Sequence, residues 1–280
     1  MVFEEFNNFD EAFSALLSKL DFKINEPFND VKKVLCIEPH PDDCAIGLGG
    51  TIKKLTDSGI DVVYLLLTDG SMGTTDGEVS GHELALRRLE EEKRSAEILG
   101  VKKIHALDFG DTELPYTREV RKEIVTVIRK ERPGIVLMPD PWLPYEGHPD
   151  HRHAGFLGIE AVSFAGLPNF NRSDLIAGLD PHSIQAVGFY YTHKPNYFVD
   201  ISDVMEVKLR AVRTHESQFP EDVWELWEPY LRTIALYYGK MSGHRYAEGI
   251  RFVPGIFLHI CPFAHVIELP SAWSHPQFEK

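Results

Sequence analysis

A chain of 280 residues is long enough to build one large α/β domain with a sizeable core, without staples. Its 29 lysines and arginines against 43 aspartates and glutamates give a net charge of −14, which repels phosphate backbones and excludes nucleic acid as a partner. Three cysteines, odd and sparse, exclude a disulfide framework and fit a reducing interior.

The N-terminus, Met1-Val2-Phe3-Glu4-Glu5, is acidic where a signal peptide is basic. No apolar run approaches the ~18 residues of a membrane span. The expectation is a cytoplasmic protein with no membrane partner. Phe9 to Leu20 has apolar residues at Phe9, Ala12, Phe13, Leu16, Leu17 and Leu20, which is helical spacing. Val34 to Ile37 is a short apolar strand, and Ala45 to Leu55 reads as a helix. Val62 to Leu67 is a second strand, closed by Thr68-Asp69-Gly70. A polar loop from Gly73 to Gly81 precedes a charged helix over Glu83 to Leu99, stopped by Gly100. Ile104 to Phe109 is a strand, Arg118 to Glu131 a helix stopped by Pro133-Gly134, Ile135 to Met138 a strand, and Asp150 to Phe164 a helix. Ala165 to Gln185 reads as a long functional loop. Val187 to Thr192 and Tyr197 to Ile201 are candidate strands, and Val204 to Phe219 and Asp222 to Tyr238 candidate helices. The end of the chain, Trp273 to Lys280, reads as a streptavidin-affinity tag behind a Ser271-Ala272 linker. Residues 1–270 then form a single domain.

Strand and helix alternate four times, and the strands are continuous apolar runs. That pattern predicts an α/β, Rossmann-like three-layer fold with a mostly parallel sheet. Such sheets put their sites at the carboxyl ends of the strands. The polar residues cluster there.

His40-Pro41-Asp42-Asp43 follows the first strand, and His148-Pro149-Asp150-His151 follows the fourth. His and Asp are good Zn²⁺ ligands, and three of them leave one position for water. His40 and Asp43, three apart at a strand-to-helix turn, can face one ion, and the sheet brings His151 alongside. Asp42, between two ligands, is better placed as the base that takes a proton from a metal-activated water attacking an amide. His148 can stabilise the tetrahedral intermediate or protonate the leaving amine. Trp142, in the loop before His148, can stack on a sugar ring. One such tetrad alone reads equally well as a capped helix start; two after strands of one sheet favour a metal site. Gly47-Leu48-Gly49-Gly50 lacks dinucleotide-binding spacing and is read as close helix packing. The Trp224, Trp227, Tyr230, Leu231, Ile234 and Ala235 series is read as core.

Together with Thr68-Asp69-Gly70, with Arg88-Leu89-Glu90-Glu91 before Leu99-Gly100-Val101, and with Tyr246-Ala247-Glu248-Gly249, the two tetrads resemble the LmbE-like, or PIG-L, deacetylase superfamily. The resemblance covers roughly residues 30 to 160. It implies a mononuclear zinc site on His40, Asp43 and His151, with Asp42 as the base. It also implies sugar contacts from Arg88 and Asp111. The implied reaction is removal of acetyl from an N-acetylglucosamine-containing sugar, N,N'-diacetylchitobiose first and an N-acetylglucosaminyl malate thiol precursor as alternative. It further implies a homo-oligomer, up to a hexamer, in which a C-terminal histidine of a neighbouring subunit closes the pocket. His259 is preferred over His265. Glu38-Pro39 departs from the small residue usual before the first tetrad. Two other readings stand against hydrolysis. A non-heme iron oxygenase also uses two histidines and a carboxylate, and a sugar-binding module would keep the pocket without chemistry.

Overall fold

Strands that are apolar without alternation must be covered on both faces, and these are. The computed structural model describes residues 8–19 and 26–266. The linker and tag at 271–280 lie outside the described residues, as does Leu20. β1 (Lys33–Glu38), β2 (Asp61–Thr68), β3 (Lys103–Phe109), β4 (Ile135–Pro139), β5 (Ala186–Tyr190), β6 (Tyr197–Asp200) and β7 (Ala247–Pro254) join one sheet in the order β3-β2-β1-β4-β5-β7-β6. The first five run parallel, and β7 is antiparallel to both β5 and β6. Val34 of β1 is paired with Val62 on one side and Ile135 on the other, all in the core.

The helices α1 (Phe9–Lys19), α2 (Asp43–Asp57), α3 (Gly81–Leu99), α4 (Arg118–Glu131), α5 (Pro149–Ala165), α6 (Arg172–Ile176), α7 (Met205–Arg213) and α8 (Glu221–Ser242) complete the described elements, with two short 3-10 turns near the end. α2, α3 and α7 pack together as one group and α4 with α5 as another, and the sheet is flanked by helices. β1 lies between β2 and β4, so the chain leaves it in one direction and returns beyond it in the other. This is the switch point at which open α/β sheets hold ligands.

Three differences from the sequence reading have local causes. Val204 to Phe219 is not one helix: α7 stops at Arg213, because Glu91 takes the Ser217 N–H at 2.9 Å and its hydroxyl at 2.6 Å and draws the chain aside. Ala165 to Gln185 is not loop throughout. It contains α6 and is fastened by the buried Arg129, which donates to the carbonyls of Ala165, Leu167 and Asn171 and to Asp174. β7 was not foreseen as a strand, because Ala247-Glu248-Gly249 breaks the apolar run. The Gly47 to Gly50 reading of close packing fits: a Cβ on Gly50 would stand 2.5 Å from Ile201, and one on Gly47 2.6 Å from Tyr190.

At the amino end of the sheet, Glu131 at the close of α4 receives Lys33 at 3.0 Å, His105 at 2.8 Å and Lys103. Burial pushes its carboxyl up, but these three partners outweigh it and hold it at about 2 against an ordinary 4.5. A depressed carboxyl stabilises the fold above its unfolded value and loses that contribution as pH falls through its folded one. Glu131→Gln is therefore expected to unfold at a lower temperature than the parent above about pH 5. The gap should close as pH is lowered toward 2, read by thermal denaturation across pH. A pH-independent gap would show that packing, not charge, is lost.

Candidate metal centre

The end of β1 turns sharply into α2, and the turn is built by its own polar groups. The His40 N–H donates to Asp43 Oδ2 at 3.0 Å. Asp42 adopts φ 121, ψ −25, a left-handed conformation that costs a non-glycine residue on the order of 1–3 kcal/mol. The turn has an outside grip. Arg88, one face of α3 away, donates to the Pro41 carbonyl at 2.7 Å, to Asp42 Oδ2 at 3.0 Å and to the Gly70 carbonyl at 3.0 Å. Gly70 has φ +65, and a Cβ there would stand 2.6 Å from the guanidinium. This accounts for the glycine of Thr68-Asp69-Gly70. Arg88 is thus a buried clamp, not a solvated helix residue.

Two imidazoles and one carboxylate converge. His40 Nδ1 lies 3.3 Å from Asp43 Oδ2, and His151 Nε2 lies 3.4 Å from Asp43 Oδ1. Ligands at ~2.0–2.2 Å from a tetrahedral ion lie roughly 3.3–3.6 Å apart, and each imidazole nitrogen stands at such a distance from one of the two Asp43 oxygens. Their ligand atoms all fall within 4.8 Å of one another. Burial pushes the Asp43 carboxyl up, but His151 and His40 outweigh it and hold it well below the usual carboxylate range.

Each ligand imidazole also has a carboxylate behind it. His40 Nε2 faces Asp111 Oδ1 at 3.2 Å and Asp150 Oδ2 at 3.4 Å, and His151 Nδ1 faces Glu146 Oε2 at 3.3 Å. Such partners fix the tautomer and raise the basicity of the metal-facing nitrogen. His40, Asp111, His148 and Asp150 also form a cluster with metal-ligand spacing. The Asp150 carboxylate in it is already taken by the N–H groups of Thr112 and Leu114. We read this second cluster as the outer support of His40. Sequence reasoning missed Asp150, Glu146 and Tyr191. Asp150 stood in a tetrad as a helix-opening residue. Tyr191, just past β5, donates to Asp43 Oδ1 at 3.2 Å and stacks on the His151 ring.

The residues named in advance fall as follows. His40, Asp42, Asp43, Arg88, Asp111, His148 and His151 all line one cavity of about 700 Å³. Trp142 does not: its indole sits edge-on to Phe156 and Phe189, and the neighbouring Leu143 lines the cavity instead. Trp142 remains 57 % exposed beside these contacts. His259 is exposed beyond the last strand and does not line the cavity either. Asp69 is a turn residue, accepting from the Ser71 and Asp111 N–H groups. The α8 aromatics are not only core: Trp227, Tyr230, Tyr237 and Tyr238 form one cavity wall.

Three comparisons place this geometry among known proteins. Residues 35–162 match the PIG-L family, described as GlcNAc-PI de-N-acetylase. The structure of N,N'-diacetylchitobiose deacetylase from Pyrococcus horikoshii is similar, at 60 % identity and TM-score 0.91, over 95 % of this chain and 100 % of that one. A probable N-acetyl-alpha-D-glucosaminyl L-malate deacetylase 2 of Bacillus anthracis is 30 % identical, covering 71 % of this chain and 87 % of the relative.

The outer carboxylates give a direct test. Glu146→Gln, half-buried and remote from the turn, should weaken divalent-cation affinity about 10- to 100-fold while the chain stays folded. Titration calorimetry with the apo protein reads it. Unchanged affinity would remove Glu146 from the support of His151.

Proposed function

The chain belongs to the PIG-L, GlcNAc-PI de-N-acetylase family, and from that premise we propose that it hydrolyses the acetamide of an N-acetylglucosamine-containing sugar, N,N'-diacetylchitobiose first, with zinc as its ion. The observation that carries the reading is the convergence of His40, Asp43 and His151 with the buried Asp42 carboxyl beside them. When bound, zinc lowers the pKa of a coordinated water toward ~7 and polarises the amide carbonyl.

Asp42 takes the proton that the attacking water gives up. Burial pushes its carboxyl up to about 6 against the pull of Arg88, so it is basic enough to accept the proton and acidic enough to return it. Arg88 engages Oδ2, leaving Oδ1 for the water. Of the two roles open to His148, its hydrogen bond favours one. Nδ1 accepts the Asp150 N–H at 3.3 Å, so its proton sits on Nε2. Burial and the neighbouring His40 and His151 lower its pKa, which keeps it neutral. A neutral Nε2–H donates to the oxygen of the tetrahedral intermediate. The amine then receives its proton from Asp42, and acetate and a free amino sugar leave.

The α8 wall, with Trp227, Tyr230 and Tyr237, offers broad rings for a second sugar ring, which favours a disaccharide. A malate-bearing substrate needs a cation for its carboxylates. The lining cations are Arg88 and Lys208, and both are paired, Arg88 with Asp42 and Lys208 with Glu248 at 2.6 Å. That disfavours the malate alternative. We further read the chain as a homo-oligomer to which the exposed His259 is available at a neighbouring copy's pocket. No helix among the described residues is long and apolar enough to cross a membrane.

The test is acetate release from N-acetylglucosamine, N,N'-diacetylchitobiose and N-acetylglucosaminyl malate, with zinc supplied and oxygen excluded. The disaccharide should have the highest kcat/KM, and a chelator should abolish turnover. Asp42→Ala should lose roughly 10²–10⁴-fold in kcat while binding zinc at parental stoichiometry. Sugar binding without acetate release would leave only a binding module. A requirement for oxygen would point to the oxygenase.

A further inference from the structure

Tyr191 touches two of the three metal-binding side chains at once, and it does so from a backbone that is not relaxed. Tyr190 closes β5, and Tyr191 follows it with φ +52. A left-handed backbone is rare for a bulky side chain and persists only where its surroundings impose it. Here it changes where the ring points. Successive residues of an extended strand send their side chains to opposite faces of the sheet, so an extended Tyr191 would point away from Tyr190. Instead the two rings stand 4.8 Å apart, edge to face. Both pack on α2 at Gly47, where a Cβ would meet Tyr190 at 2.6 Å and Tyr191 at 3.2 Å.

Tyr190 commits its hydroxyl to the fold, donating to the Ile37 carbonyl of β1 at 3.0 Å. Tyr191 commits its own to the site. It donates to the Asp43 carbonyl at 3.1 Å and to Asp43 Oδ1 at 3.2 Å. Its ring lies 5.9 Å from that of His151 and within 6° of parallel. Asp43 opens α2 and His151 lies in the first turn of α5, so these two ligands belong to helices that follow different strands. His40 needs no such bridge, because it shares the turn with Asp43. Glu146 faces the edge of the His151 ring at Nδ1, and Tyr191 covers its face.

We infer that Tyr191 is a positioning residue for the metal: its hydroxyl holds the Asp43 carboxylate and its ring holds the His151 imidazole in the relative orientation at which one ion takes both. The inference rests on the reading of His40, Asp43 and His151 as the metal ligands. Partners behind a ligand fix its direction before the ion arrives, so less of the binding energy goes into ordering it. The two contributions are separable. Phenylalanine keeps the stack and the packing on Gly47 and loses only the donor; leucine loses both.

The experiment titrates zinc into the metal-free parent, Tyr191→Phe and Tyr191→Leu by calorimetry. Y191F should bind one equivalent about ten- to a hundredfold more weakly than the parent, and Y191L more weakly still, while metal-free Y191F melts with the parent. Parental zinc affinity in Y191F overturns the proposal. A lowered melting temperature of metal-free Y191F overturns it too, since the hydroxyl would then serve the fold. Equal losses in the two variants overturn the part given to the ring. Cobalt(II) in place of zinc reports ligand geometry through its visible absorption, and the Y191F spectrum should differ from the parent's; an identical spectrum overturns the positioning role. A parent that takes up neither ion overturns the ligand reading itself, whereas a parent with one equivalent beside a Y191F of equal affinity overturns only the role of Tyr191.

Discussion

The Asp43 carboxylate ties the two halves of the site together. One oxygen faces His40 on its own turn, and the other faces His151, which arrives more than a hundred residues later. The sheet makes this possible, because β1 and β4 are direct neighbours and their carboxyl ends open into the same crevice. Asp43 is also the first residue of α2, where the helix dipole favours negative charge. Charge, helix start and metal position therefore coincide in one residue. Moving it by one position would lose the His40 N–H that orients it.

The site is crowded with acids: Asp42, Asp43, Asp111, Asp150 and Glu146 surround two ligand imidazoles and His148, with Arg88 as the nearby fixed cation. Such an assembly is stable only with positive charge at its centre. Burial alone would keep His40 neutral, yet Asp111, Asp150 and Asp43 outweigh it and push its pKa well up. The carboxylates that favour a proton on His40 favour a dication there too, so proton and ion compete for the same nitrogen. The outer acids therefore add to affinity while orienting the rings.

Much of this was legible in the chain. Continuous apolar runs alternating with helical spacing gave the parallel sheet, and the sheet gave the meaning of the two tetrads: His40 and Asp43 were readable at the turn from β1 into α2, and His151 at the start of the helix that follows β4. Glu146, Tyr191 and Asp150 were not, since each matters only through a neighbour that the sequence does not place beside it. Tyr191 carries no motif and reaches Asp43 from β5, two strands away from β1. Trp142 differs in another way, standing outside the cavity lining. Its position in the loop was informative, but the direction of its ring was decided by Phe156 and Phe189. The second half resisted because α7 is ended by a tertiary bond from Glu91, not by a local stop signal.

That same bond shows how the two halves of the chain share the site. α3 presents Arg88, Glu91 and Glu92 within little more than one turn, and each meets a different partner: the Asp42 turn, the Ser217 loop, and the polar group around His215. The Ser217 loop in turn carries Gln218, which lines the cavity and donates to the Gly73 carbonyl at 3.0 Å. One helix therefore holds both the Asp42 turn and the loop that carries Gln218, two parts of the cavity lining. A substitution that shifts α3 along its axis would disturb chemistry and substrate fit together, whereas one in α8 would reach only the wall. The division follows from packing: α3 touches α2, which follows the Asp42 turn, and α7, which precedes the Ser217 loop, while α8 rests on β6 and β7 at the far edge of the sheet.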